Sequence, residues 1–112
     1  MIYRALTFTV QAWQAVDAAI DSSVSIDVVE GDVVSAMRGA VVRDAGWRAS
    51  FHAHGQNFGS GWPPGEEELT LELSKEHWQY VADQLERWQR VSGSDVLDAV
   101  LDDVRTALST RP

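Results

Sequence analysis

Two apolar stripes at helical spacing, separated by one short break, fill the last third of the chain and set the strongest constraint on its fold. Trp78, Val81, Ala82, Leu85 and Trp88 recur at the spacing of a single helix face, and Ser74 stands where an N-cap belongs, just before Lys75. Ser92-Gly93-Ser94 interrupts the pattern. Leu97, Val100, Leu101, Val104 and Leu108 then resume it, with Ser94 or Asp95 as the cap. Two helices joined by so short a link form an antiparallel hairpin. A hairpin with one apolar face needs a second layer to cover it, and the rest of the chain reads as a sheet.

Residues 2–10 alternate as a half-buried strand, with Ile2, Leu6, Phe8 and Val10 on one face and Arg4 sharing it. Residues 11–22 carry Trp13, Val16, Ala19 and Ile20 at helical spacing, which predicts a short helix. Val24, Ile26 and Val28 alternate with Ser25 and Asp27 as a second strand. The stretch 33–43 admits two readings. Val33, Val34, Met37, Ala40 and Val41 fit a helix stripe capped by Asp32. The frequent β-branched residues, the interruption at Gly39 and a turn at Asp44-Ala45-Gly46 favour a strand, bulged near the glycine, and that reading is preferred. Trp47, Ala49, Phe51 and Ala53 alternate with polar residues as the clearest strand, and Leu69, Leu71 and Leu73 give another. The expected fold is a single α+β domain over residues 1–112. It has an antiparallel sheet of about five strands, a C-terminal helical hairpin packed on one face and a short helix after the first strand. No internal repeat is visible.

Charge narrows the function classes. The net charge of −8, with Lys75 the only lysine, argues against nucleic acid, whose phosphates demand clustered cations. A basic protein partner is the natural complement. Cysteine is absent, which removes disulfides, thiolate metal sites and cysteine nucleophiles. No basic-then-apolar leader and no apolar stretch of membrane-spanning length is present, so a soluble cytoplasmic protein away from membranes is expected.

The segment 55–68 is the functional candidate. Its glycines, Phe58 and Trp62, Pro63-Pro64 and the run Glu66-Glu67-Glu68 lie between two strand-like runs, and long connections of this kind are usually functional or disordered. Together with Glu72, the three acids supply half of the net charge, with no base among residues 66–74. Phe58, Trp62, Glu66, Glu67, Glu68 and Tyr80, which lies off its helix's apolar stripe, form the expected partner-binding set. Trp13, Trp47, Trp78 and Trp88 are assigned to the core. On a strand, His52 and His54 would share a face and could reach one metal with His77 or one of Glu66, Glu67 and Glu68 as a third ligand, but they fall on the polar face opposite Trp47 and Phe51 and read better as solvated histidines than as a metal site. Ser60 lacks the strained elbow of a nucleophile. No catalytic residue, metal or cofactor is therefore assigned. The chain reads as a binding module, by analogy of charge and size with immunity proteins and phage-encoded inhibitors. The alternative is a small-molecule binder or enzyme with a pocket between sheet and loop lined by His52, His54, Phe58 and Trp62. A homodimer burying a sheet edge or the helical hairpin is compatible with the same pattern.

Overall fold

A computed structural model describes residues 3–54 and 62–109, with residues 51–54 described by backbone alone. Strand β1 (Tyr3–Thr9) leads into helix α1 (Val10–Glu30) and helix α2 (Val33–His54). Strand β2 (Glu68–Ser74) leads into helix α3 (Lys75–Ser92) and helix α4 (Asp95–Ser109). The two strands pair antiparallel with Leu6 opposite Leu71 at the centre of the register. Leu6, Phe8, Leu69, Leu71 and Leu73 face the helices, while Thr7 and Thr70 hydrogen-bond through their hydroxyls at 2.7 Å on the other face.

The same junctions are built twice. Each strand passes directly into a helix through an extended residue whose hydroxyl caps it. Thr9 Oγ1 accepts from the amide of Ala12 at 3.1 Å, and Ser74 Oγ accepts from that of His77 at 3.2 Å. Each first helix stops at a left-handed glycine, Gly31 (φ 82°) or Gly93 (φ 62°). The next residue caps the second helix: Asp32 Oδ1 accepts from Ser35 N at 3.1 Å, and Ser94 Oγ from Leu97 N at 3.3 Å. Setting Trp13 on Trp78 also sets Leu6 on Leu71, Phe8 on Leu73, Thr9 on Ser74, Gln14 on Gln79, Val16 on Val81 and Ile20 on Leu85. The strand register respects this equivalence, since exchanging the halves maps the pair Tyr3–Ser74 onto Thr9–Glu68 and leaves Leu6–Leu71 in place. The chain is thus two βαα units. The sequence reading that saw no repeat is corrected.

The core is organised around the equivalent tryptophans. Trp13 and Trp78 are fully buried and meet edge to face, with centroids 6.5 Å apart. Phe8 contacts both, at 5.8 and 6.1 Å. Such pairs add about 0.5–1.5 kcal/mol each beyond the area they bury. Trp78 Nε1 donates to the carbonyl of Arg4 at 2.9 Å, tying α3 back to β1.

The expected five-strand sheet is corrected to two strands among the described residues, because the readings at 24–28, 33–43 and 47–53 as strands are all overturned. Helix α1 runs through 24–28 because its buried stripe, Trp13, Val16, Ile20, Ser23 and Asp27, continues at helical spacing with polar members. Val28, which the strand reading put inside, is exposed. Helix α2 buries Ala36, Gly39, Val42, Gly46 and Ser50 instead, a stripe of mostly small residues that brings its backbone close to α1. Gly39 and Gly46 are the points of closest approach. A Cβ on Gly39 would stand 2.6 Å from the Tyr80 hydroxyl and collide with Val24. One on Gly46 would stand 2.8 Å from Trp13 Cε2 and collide with Nε1 of the same ring.

In an exposed helix, Gly→Ala stabilises by about 0.5–1 kcal/mol. Here the sign reverses. Gly46→Ala is expected to lose about 1–3 kcal/mol in urea unfolding, since the Trp13 ring is locked on all sides and overpacking cannot relax cheaply. A variant as stable as the wild type would show that α1 and α2 are not packed this closely.

Candidate functional site

The end of the 55–68 segment serves the first strand–helix junction. The amide of Val10 donates to the Glu67 carbonyl at 2.7 Å and that of Gln11 to the Gly65 carbonyl at 3.0 Å. With the Thr9 cap, these bonds satisfy donors that the first turn of α1 leaves open. Exposed Glu66 and Glu68 and half-buried Glu67 therefore stand beside the positive end of the α1 dipole, a favourable place for carboxylates. Their clustering has a structural reason as well as any contact role.

Trp62 is half-buried and packs against the core. Its ring meets Trp47 edge to face, with centroids 5.0 Å apart and planes at 88°. Trp47, expected in the core, is 40% exposed, so the pair stands at the surface. The two rings border a recess of about 310 Å³ lined, among the described residues, by Asp17, Arg43, Asp44, Trp47 and Trp62. Arg43 is fixed by Asp17 at 3.1 Å and by Asp21 at 2.7 Å. The hydrogen bonds that Arg43 donates to Asp17 outweigh partial burial and hold the guanidinium above its ordinary range. Asp44 pairs with its exposed neighbour Arg48, at 2.9 Å.

Phe58 lies outside the described residues. His52 and His54 fall on the last turn of α2, with side chains outside the description. The strand argument that gave them one face fails, because helical backbone sets residues i and i+2 about 200° apart. Among the described residues, no group of three or more His, Cys, Asp or Glu is placed to hold a metal ion. Arg105 on α4 bridges to Glu86 on α3.

Tyr80 is corrected from a surface position to the core, at 5% exposure. It faces the α1–α2 hairpin, where Asp27 is buried, accepts from Ser35 Oγ at 2.7 Å and pairs with Arg87 at 3.2 Å. Nearby, Ser23 Oγ accepts from Trp88 Nε1 at 2.7 Å. These polar contacts join α1 to both α2 and α3, and sequence periodicity alone missed them because their members interrupt apolar stripes.

Opposite that buried stripe, α2 turns its large apolar residues to solvent. Val33, Val34, Met37 and Val41 are each about half exposed or more, and Val28 and Val29 extend the surface onto the end of α1. Ala40 is exposed among them. These α2 residues are the stripe that the helix reading of 33–43 identified, but it points outward. A groove lined by Val34, Met37, Arg38, Val41, Glu76 and His77 runs along it, with Arg38 and Glu76 paired at 2.7 Å on the rim. No helix of the described chain is long and apolar enough to cross a membrane.

The buried Tyr80 hydroxyl makes no hydrogen bond of sound geometry, so Tyr80→Phe should leave stability unchanged or raise it by up to about 1 kcal/mol. Burial, reinforced by the negative charge of Asp27, pushes the Tyr80 phenol above its ordinary value of 10.0. The folded state then holds this proton more tightly than the unfolded state. The contribution is constant below about pH 10 and is lost as pH rises through the folded-state value. Wild-type stability should fall more steeply above pH 10 than that of Tyr80→Phe, measured by chemical unfolding. Parallel curves would contradict this placement of the hydroxyl.

Compared with known proteins, the chain matches no family model, no curated protein sequence and no solved structure.

Proposed function

We propose that the chain is a small acidic protein-binding module that docks a basic partner across the outward face of α2. One observation carries this reading: Val33, Val34, Met37, Ala40 and Val41 form a contiguous exposed apolar surface on a regular helix. Contiguous apolar surface of this kind marks interaction sites, whereas scattered apolar residues need no explanation. Met37 at its centre is the adaptable side chain such a surface uses. The rim carries Glu76 paired with Arg38, Glu30 and Asp32 stand at the adjoining α1–α2 turn, and the chain as a whole is strongly acidic, so the complementary surface is apolar at its centre and cationic at its edge. This reading favours α2 over the 55–68 segment as the contact surface, and an inhibitor or immunity-type role is one form of such binding.

The test is site-specific photo-crosslinking in the cell of origin, with the reactive group at Met37 or, as a control, at exposed Asp103 on α4. A partner captured from position 37 and not from 103 is expected, joined through a segment of net positive charge. The double variant Val34→Asp/Val41→Asp should weaken that complex about tenfold or more. Its stability should change by no more than about 0.5 kcal/mol, because both side chains already face solvent. Equal capture at the two positions would sink the proposal. A crosslinked dimer of this chain would make the face a self-association surface instead.

A further inference from the structure

The recess between α1, α2 and Trp62 has the composition of a receptor for a single organic cation. Two indole rings in edge-to-face contact at 88° both line it, and indole rings attract cations more strongly than other aromatic side chains do. Asp17 and Asp44 bring carboxylates to the same recess. Its internal cation, Arg43, spends three of its five N–H donors on Asp17 and Asp21, so its charge is largely matched within the protein. The Asp44–Arg48 pair is an exposed i,i+4 pair that a ligand can exchange at little cost, because such pairs contribute only a few tenths of a kilocalorie. The volume of about 310 Å³ suits one side chain rather than a cofactor.

We infer that this recess binds one guanidinium or ammonium group, with the cation against the rings of Trp47 and Trp62 and its donors on Asp44. The ordered indole pair, usually a sign only of packing, here has a use at the surface, where Trp47 remains 40% exposed. The source of the cation, a basic side chain of a partner, rests on the protein-binding reading. The chemistry of the recess does not. Asp44 and Trp47 share α2 with the exposed apolar face, so a partner lying along that helix can reach both.

The probe is arginine amide, titrated into the protein while the indole N–H signals of Trp47 and Trp62 are followed by NMR. Citrulline amide, which has the same shape without the charge, serves as the control, and lysine amide and tetramethylammonium compare the cation types. Arginine amide or the ammonium probes are expected to shift both signals saturably at millimolar concentration, and citrulline amide to leave them in place. Trp62→Leu should weaken binding about three- to fivefold, the worth of one partly exposed cation–π contact. Asp44→Asn, at an exposed position that does not threaten folding, should weaken it similarly. Identical shifts with arginine and citrulline amides, or none with any cation, would overturn the inference and leave the α2 proposal standing. Cation binding without crosslinking at Met37 would do the reverse.

Discussion

The contact between Trp13 and Trp78 is the constraint on which the rest of the structure depends. Each tryptophan sits one turn into a helix that leaves its strand without a linker, so the ring's position is fixed by the strand register and by the cap behind it. The two rings and Phe8 seal the helix-facing side of a sheet only two strands wide, and such a sheet is marginal without a covering layer. The pairing of Leu6 with Leu71 and the caps at Thr9 and Ser74 are parts of one arrangement, because moving any of them moves a tryptophan. Two short strands suffice here because each is anchored at its end by a helix that carries the core.

The halves then diverge in how their second helices pack. Helix α4 buries Leu97, Val100, Leu101 and Val104, side chains large enough to fill the space beside α3 and β1. Helix α2 is longer and meets α1 across glycines, with the polar contacts of Asp27, Ser35 and Arg87 supplying orientation where side-chain bulk is missing. A buried ion pair is weak evidence of net stability, but a partner left alone after truncation is costly, which makes such contacts good determinants of register. The close approach has a consequence for the surface. With small residues turned inward, the valines and Met37 of α2 are turned out.

The legible parts of the sequence were those where large apolar residues coincide with the buried face. The C-terminal hairpin, the caps at Ser74 and Ser94, and the strands around Leu6 and Leu71 all meet that condition. Ser23 and Asp27 defeat it in α1, since two polar residues continue an apolar stripe and leave Val24, Ile26 and Val28 to imitate a strand. Helix α2 defeats it more completely, because the buried stripe is small and the apolar stripe is exposed, so a rule that equates large apolar residues with the interior assigns the wrong face. The repeat is faint in the sequence because its identities, Leu6/Leu71, Trp13/Trp78, Gln14/Gln79 and Val16/Val81, are few. They become evident only when both strand–helix junctions are known. At the candidate site, Trp62 was legible as unusual from its prolines, but not its partner: Trp47 belonged in sequence to a strand that does not exist.

Local disagreement between sequence preference and structure is expected where something other than stability sets the residue choice. By that criterion α2 stands apart from the other three helices. Its outward valines leave half or more of their surface in solvent, so polar replacements there would cost the fold little. The glycines that make this exposure possible raise the conformational entropy lost on folding. A helix that accepts both disadvantages is better explained by a surface it must present than by the core it helps to close. The same helix places Trp47 and Asp44 at the edge of the recess with Trp62. An apolar face and a cation-binding corner on adjoining flanks of one helix would read an amphipathic basic segment in two ways, by its buried area and by the position of a single charge.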